Sequence, residues 1–503
     1  MSVSFNTIPS SGELVPLFYA EMDNSQANTT TSTQPTVIFG YALKDSAIPT
    51  NELTLVSSVS ALRQQAGAGS QLARMAAAYR NIDTTGELWA IAVPEPDGTA
   101  AGGSIVIGGQ VIAGGVISLY IGKTRIQTAV AVADTPANIA TKMIAAINAV
   151  TDLPVTAAAD DSDEAGATLT LTAKNVGLCG NEIPLCVNYY GSASGEALPN
   201  GVTVTITAMS GGAGAPDFDA AITSLGDEDC DFIGFPFNDS ASLDAIGLAL
   251  NDSSGRWAPG RQSYGHAYSA KMGEDSALQS FGTTRNDQHV CIDGIEPATQ
   301  TCADEWAAMF TARSAVFIRA DPARPTQTGQ LNGGLPAPVG KRFLKTQRNT
   351  LLNSGIATSY AQGSNAYIER AVTTYQKNSY GEADNSYLDS ETLHTSAYVL
   401  RALETCVTSK YGRSKLANDG TRYGSGQSIV TPSVIKAEMC AQYQIMEEAG
   451  IVENFDLFKK YLVVERDAND PNRVNVLFPP DYINQLRVFA LVNQFRLQYQ
   501  EAA

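Results

Sequence analysis

Three histidines and seven cysteines are the main residues of this 503-residue chain that could carry chemistry. A metal site needs ligands at short, regular spacings, and nucleophilic catalysis needs a serine or cysteine with a base beside it. His266 lies in the run Tyr264-Gly265-His266-Ala267-Tyr268, His289 in a strand-like stretch, and His394 in a helical one. No two have ligand spacing. The cysteines, Cys179, Cys186, Cys230, Cys291, Cys302, Cys406 and Cys440, are odd in number, widely spaced and free of any CxxC. They read as buried thiols made in a reducing compartment, not as a disulfide framework. No GxSxG elbow occurs, since Gly424-Ser425-Gly426 lacks the outer spacing. Trp89, Trp257 and Trp306 fit core or interface anchors.

The acidic and glycine-rich runs fare no better. Asp160-Asp161-Ser162-Asp163-Glu164 suggests calcium, but the twelfth position counted from Asp161 is Thr172, where a bidentate carboxylate is required. A solvated turn is expected. Asp227-Glu228-Asp229 with Asp231 precedes an apolar strand and reads as a charged loop that blocks edge pairing. Gly67-Ala68-Gly69 follows a helix and lacks the third glycine of a dinucleotide fingerprint, so it reads as a helix–helix turn. Gly334 to Arg342 resembles a phosphate loop faintly. Its two prolines remove backbone donors, and Arg342 stands where Ser or Thr should hold magnesium. The expectation is therefore a chain with no cofactor, no metal and no enzymatic activity.

Charge is unevenly spread. Residues 1–250 carry 25 acids and 8 bases, residues 251–503 carry 26 acids and 25 bases, and the total is −18. One half is kept soluble and the other is available for contacts. No basic stripe could neutralise phosphates, so no direct nucleic-acid binding is expected. Gly98 to Gly122 is 25 residues without a charge, but eight are glycine and the apolar residues come in short blocks. That pattern predicts strands at glycine turns, not membrane insertion. The start, MSVSFNTIPSSGELVPLFYAEM, has no basic n-region or long apolar core, so no secretion signal is expected.

The elements that would position any site follow from periodicity. Residues 1–34 read as an extended arm ending in the low-complexity run Thr29–Thr33. Thr36–Leu43 and Glu87–Pro94 are apolar runs, as in strands buried on both faces. Between them a helix starts near Ser58 and stops at Gly67, and a second is capped by Ser70. From about 96 to 215 the chain turns rich in Gly, Ala and Thr. Val202, Val204 and Ile206 alternate with threonines, and Thr135-Pro136 opens a helix. This predicts an inserted β-rich α+β domain. Strands near Cys230–Phe237, Tyr264–Ser269 and Gln288–Ile292 then alternate with helices at Ser240–Asn251 and Thr299–Ile318. The alternation implies a mainly parallel α/β sheet. Further helices are expected at Ser390–Ser409 and from Thr431, as cap, to Gly450. The division is 1–34 arm; 35–95 and 216–378 core; 96–215 insert; 379–473 C-terminal domain; 474–503 strand and arm. Val474 to Gln498 is strand-like and apolar, and such a segment needs a sheet to join.

Several collinear stretches resemble the tail sheath proteins of contractile phage tails, most closely the Mu-type branch. They are GAGSQLARMAAAYRNIDTTGELWAIAVP (Gly67–Pro94), LYIGKTRIQTAVAVADTPANIATKMIAAINAVTDLPVTA (Leu119–Ala157), PNGVTVTITAMSGGAGAPD (Pro199–Asp217), KLANDGTRYGSGQSIVTPSVIKAE (Lys415–Glu438) and ANDPNRVNVLFPPDYINQLRVFALVNQFRL (Ala468–Leu497). The resemblance implies a structural subunit polymerising as stacked hexameric rings around a tail tube and contracting to drive the tube through the host envelope for genome delivery. It implies a core labelled subtilisin-like in part of the family, but His266 is followed by alanine and no triad is present. It also implies terminal arms exchanged as strands between subunits. The matching residues are Phe5, Ile8, Val15, Leu17 and Phe18 at the N-terminal end. At the other end they are Leu486, Val488, Phe489, Leu491, Phe495 and Leu497. Lys436, Glu447 and Glu448, on the helix Pro432–Ala449, are candidate tube contacts. Implied partners are further copies of the chain, the tail tube protein, and baseplate and tail terminator proteins. The implied location is the virion, after assembly in the host cytoplasm. The sheath of a bacteriocin or secretion-type injection system remains open, as do a hydrolase with a degenerate core and a β-rich adhesin.

Overall fold

The computed structural model describes residues 34–497. A nine-stranded sheet lies at its centre. Its order is Gln330–Leu331, Asn365–Arg370, Ala357–Gln362, Val290–Ile295, His266–Met272, Phe232–Gly234, Thr36–Tyr41, Leu88–Val93 and Leu53–Leu55. The strands from Ala357–Gln362 through Leu88–Val93 run parallel to their neighbours. The pairings of Gln330–Leu331 with Asn365–Arg370, of Asn365–Arg370 with Ala357–Gln362 and of Leu53–Leu55 with Leu88–Val93 are antiparallel. The expectation of a mainly parallel sheet therefore holds for the middle only. Asn365–Arg370 turns back on Ala357–Gln362 through Gly363-Ser364, too short a link for a parallel crossover. Gly363 supplies the positive φ of 63° that this turn uses.

The continuous apolar runs are explained by burial on both faces. Ile38, Leu88, Ala90, Phe232 and Tyr268 point to one side, packed under the helices Val59–Ala66, Gln71–Arg80 and Ala303–Ala320. Val37, Phe39, Ile91, Ile233 and Ala267 point to the other. There they meet the helices Asp219–Leu225, Ser240–Leu250, Asp275–Gly282 and Lys345–Leu352. Alternate residues thus serve opposite cores. Ser58 and Ser70 cap their helices by accepting from the Ala61 and Ala73 amides. The long helix begins at Ala303, not at Thr299, and the strand expected from Tyr264 begins at His266. The hydrogen bond of Gln300 Nε2 to the carbonyl of Gly122 ties up the preceding loop.

The chain leaves the central sheet after Val93 and builds two antiparallel sheets before returning. One has the order Val202–Ser210, Ala100–Gly109, Thr168–Val176, Val155–Ala159; the other, Thr124–Val130, Gly115–Ile121, Leu185–Val187. They enclose a core of their own with the helix Pro136–Ala149, capped by Thr135. Gly98–Gly122 is thus two strands and their turns, and no described helix is long and apolar enough to cross a membrane. Asn175 joins this unit to the central one. Its Oδ1 accepts from the Gln71 amide at 2.9 Å, and its Nδ2 donates to the Ala42 carbonyl at 3.0 Å and to Glu95 at 2.7 Å.

The helix Ser390–Tyr411 leads to a fourth cluster formed with Pro432–Glu448 and Phe455–Tyr461. Thr431 does not cap the second of these helices as expected. Its hydroxyl meets that of Ser433, while Asp419, from the preceding loop, accepts from the Ser433 amide at 3.1 Å. The C-terminal strand is shorter than expected. Val474–Leu477 pairs antiparallel with Val463–Arg466 of its own chain, and the residues after it form no further named strand.

Candidate assembly surface

The last described stretch starts inside the fourth cluster. Phe478 packs edge-on to Phe458, which stacks on Tyr443 with ring centroids 3.8 Å apart. The Glu453 amide donates to the Asp481 carbonyl at 2.9 Å, and the Ile483 amide to the Ile451 carbonyl at 3.1 Å. The chain then crosses to the central unit. Gln485 Nε2 donates to the Ala323 carbonyl at 2.9 Å, and Gln327 Nε2 to the Leu486 carbonyl at 3.3 Å. Arg487 places Nη2 at 3.1 Å from Asp389 and 3.3 Å from Glu391, and its Nη1 donates to Gln327 Oε1 at 3.2 Å. Beyond it the described apolar side chains are largely exposed. Val488 and Phe489 are each 79 % exposed, and Leu497 is 97 % exposed. Leu491, Val492 and Phe495 are exposed too. Singly exposed apolar side chains are ordinary, but an extended run of them marks a contact surface.

The candidate chemistry lies elsewhere and is sealed. His266 Nε2 lies 3.1 Å from Cys291 Sγ, a pairing that the sequence spacing did not suggest. Both residues are fully buried. Burial pushes the thiol well up and the imidazole well down, so the pair stays neutral and meets no substrate. His394 faces the Tyr268 hydroxyl at 2.9 Å and stacks on Phe232. His289 lies between Asp252 and the face of Trp257. Arg342, in the loop that resembled a phosphate site, donates to the carbonyls of Ala337 and Gly363. Asp163 accepts from the amides of Ala165, Ala167 and Thr168, which makes the acidic run a self-contained turn. No group of three or more metal-ligating side chains converges among the described residues.

The acids at 227–231 do not guard an edge. The strand that follows them is interior to the sheet, between Thr36–Tyr41 and His266–Met272. Asp231 is buried and pairs with Arg401 of the helix Ser390–Tyr411, with Asp229 at 3.5 Å from the same guanidinium. Asp227 holds Arg261 at 3.0 Å. Asp229 and Asp231 fasten the helix to the sheet, whereas Asp227 ties its loop to Arg261.

Comparison with known proteins decides the family. Residues 211–374 match the model described as phage tail sheath protein central domain, and residues 382–496 match the phage tail sheath C-terminal domain. The chain is 40% identical over 501 residues to the Mu-like prophage FluMu tail sheath protein of Haemophilus influenzae, covering 99% of this chain and 100% of that protein. The chain belongs to the phage tail sheath family. It is also similar to two solved sheath tail proteins. For that of Listeria innocua (Lin1278) the identity is 13%, the coverage 92% of this chain and 94% of that one, and the TM-score 0.47. For that of Desulfitobacterium hafniense the identity is 11%, the coverage 93% and 100%, and the TM-score 0.45.

For a tail sheath protein, the residues of interest are those that meet other chains. Phe5, Ile8, Val15, Leu17 and Phe18 lie outside the described residues. Leu486, Val488, Phe489, Leu491, Phe495 and Leu497 lie together on the uncovered stretch. On the helix Pro432–Glu448, Ile435, Met439, Tyr443 and Met446 face inward. Lys436 is half-buried and Glu448 exposed. Glu447 is engaged internally, since its Oε1 accepts from the Phe455 amide at 3.1 Å and so caps the next helix. Sequence reasoning missed Arg487, although a single base inside the apolar run Leu486–Val492 was itself a signal.

Proposed function

We propose that this sheath protein polymerises as stacked hexameric rings around a tail tube and contracts to drive the tube through the host envelope for genome delivery. The observation that carries this is the run from Val488 to Leu497, whose apolar side chains Val488, Phe489, Leu491, Val492, Phe495 and Leu497 are largely exposed. A second supports it. The hairpin Val463–Arg466 with Val474–Leu477 is a two-stranded sheet whose outer edges pair with no described strand. Such edges accept an added strand from another chain. In this reading the run 488–497 leaves one protomer and completes a sheet of the next, and residues 1–34 form a second link. Contacts of this head-to-tail kind build rings or helical assemblies.

The proposed division is a core at 35–95 and 216–378, an outward-facing insert at 96–215, and an inner C-terminal domain at 379–473. Lys436 and Glu448 are the proposed tube contacts; Glu447, already bonded to Phe455, contributes less. Baseplate and tail terminator proteins would cap the two ends of the sleeve. The virion is the proposed location, after assembly in the host cytoplasm.

Electron microscopy of the purified protein tests the reading. Rings or long tubes are expected. Deleting residues 1–28, or 488–503, should leave folded protomers that form no ordered cylinders. Normal cylinders from both deletions would refute exchange of the arms.

A further inference from the structure

We propose that Arg487 is the fixed root of the C-terminal arm, an ionic clamp that ties the arm to its own protomer's central unit and sends any pull into the start of the helix Ser390–Tyr411. The proposal rests on the reading that residues 488–497 engage a second copy. It adds where the movable part begins and what bears its load.

Three observations converge on this residue. First, the chain on either side changes character there. The Gln485 side chain and the Leu486 carbonyl are bonded to Ala323 and Gln327, although the Leu486 side chain is already exposed, and every residue from Val488 to Leu497 is exposed. Second, the receiving site is held by contacts that do not involve the arm. Arg370 grips Asp389 through two bonds of 2.8 Å. Glu391 is fully buried and accepts from the amide and hydroxyl of Thr326 at 2.7 and 2.8 Å. Third, charge in the site balances only with Arg487 in place. Asp389 and Glu391 are two acids, and Arg370 neutralises one of them. A buried carboxylate left without a cation is strongly disfavoured, so the site demands the second guanidinium. Arginine suits this better than lysine, because its planar fork reaches Asp389, Glu391 and Gln327 at once.

The path of the chain gives the clamp its mechanical meaning. Residues 481 and 483 are bonded to 453 and 451 in the C-terminal cluster, and 485–487 to the central unit. Tension arriving from residue 488 therefore meets a charged anchor at the central unit first. The apolar packing of Phe478 against Phe458 lies behind that anchor and is spared.

Trypsin reads the clamp directly, because it must take the arginine side chain into its own acidic pocket. On wild-type protomers, followed by intact mass, the cut after Arg487 should be at least about tenfold slower than the cut after exposed Arg422. In the double variant Asp389→Asn/Glu391→Gln the two rates should converge to within about threefold. Equal rates in the wild type, or a slow cut after Arg487 that persists in a folded double variant, overturn the proposal. If the double variant does not fold, the wild-type ratio decides alone. Assembly into tubes should slow the cut after Arg496. If it does not, the exchange reading fails while the clamp stands, so the two failures are told apart.

Discussion

Replacing Phe489 by serine separates folding from assembly. The ring is 79 % exposed in the protomer, so its loss removes little internal packing. The stability of the isolated protomer should change by no more than about 0.5 kcal/mol, the usual range for an exposed site. In a sleeve the same ring would be buried against the next copy. Burying a phenylalanine contributes about 1.5–3 kcal/mol, and about 2 kcal/mol is a fair central figure. Each subunit gives one such arm, and about 1.4 kcal/mol is a factor of ten. The critical concentration for polymerisation should therefore rise roughly thirtyfold. Sedimentation over a concentration series measures this, and thermal unfolding of dilute protomers gives the control. A critical concentration unchanged within about threefold would show that Phe489 meets nothing in the assembly. A large fall in protomer stability would show instead that it packs within its own chain.

Glu182 and Asp293 each contribute a stability that falls as pH rises towards neutral. Burial pushes the carboxyls of Glu182 and Asp293 up to about 7, so the folded state keeps protons that the unfolded chain has released. For Glu182, ordinarily near 4.5, that contribution is whole below 4.5 and is lost between there and about 7. Glu182→Gln should flatten the slope of urea-derived stability across this window by about 1–3 kcal/mol, and an unaltered slope contradicts the assignment. Arg401→Met strands the buried carboxylate of Asp231 and should lower stability by about 3 kcal/mol in denaturant titration; a loss below about 1 kcal/mol would mean that Asp231 finds another partner. Iodoacetamide should label the half-buried Cys186 and Cys440 well before Cys291, read by peptide mass mapping. Early labelling of Cys291 would reveal an opening that exposes the pair with His266.

Much of the fold was legible because its signals are local. Thr36–Leu43 and Glu87–Pro94 announced double burial by unbroken apolar sequence, and Ser70 and Thr135-Pro136 marked helix starts within one residue. The contacts that the sequence hid join distant positions. Asp419 reaches the Ser433 amide across a loop, His266 meets Cys291 only because their strands lie side by side, and Asp231 finds Arg401 at a separation of 170 residues. The acids at 227–231 were misjudged for the same reason, since nothing near them names a cation so far along the chain. The C-terminal run was recognisable as sticky, but a single strand-like pattern could not separate its paired start, Val474–Leu477, from its uncovered end.

The helix Ser390–Tyr411 belongs to two bodies at once. His394, in its first turns, is wedged among the aromatics of the central sheet, while Val399 and Cys406 lie in the C-terminal cluster. Twenty-two helical residues span about 33 Å, and Arg401 bolts the midpoint to Asp231. A shaft shared in this way couples the central sheet to the C-terminal cluster. In a sleeve built from this chain, those two bodies would turn together as one piece.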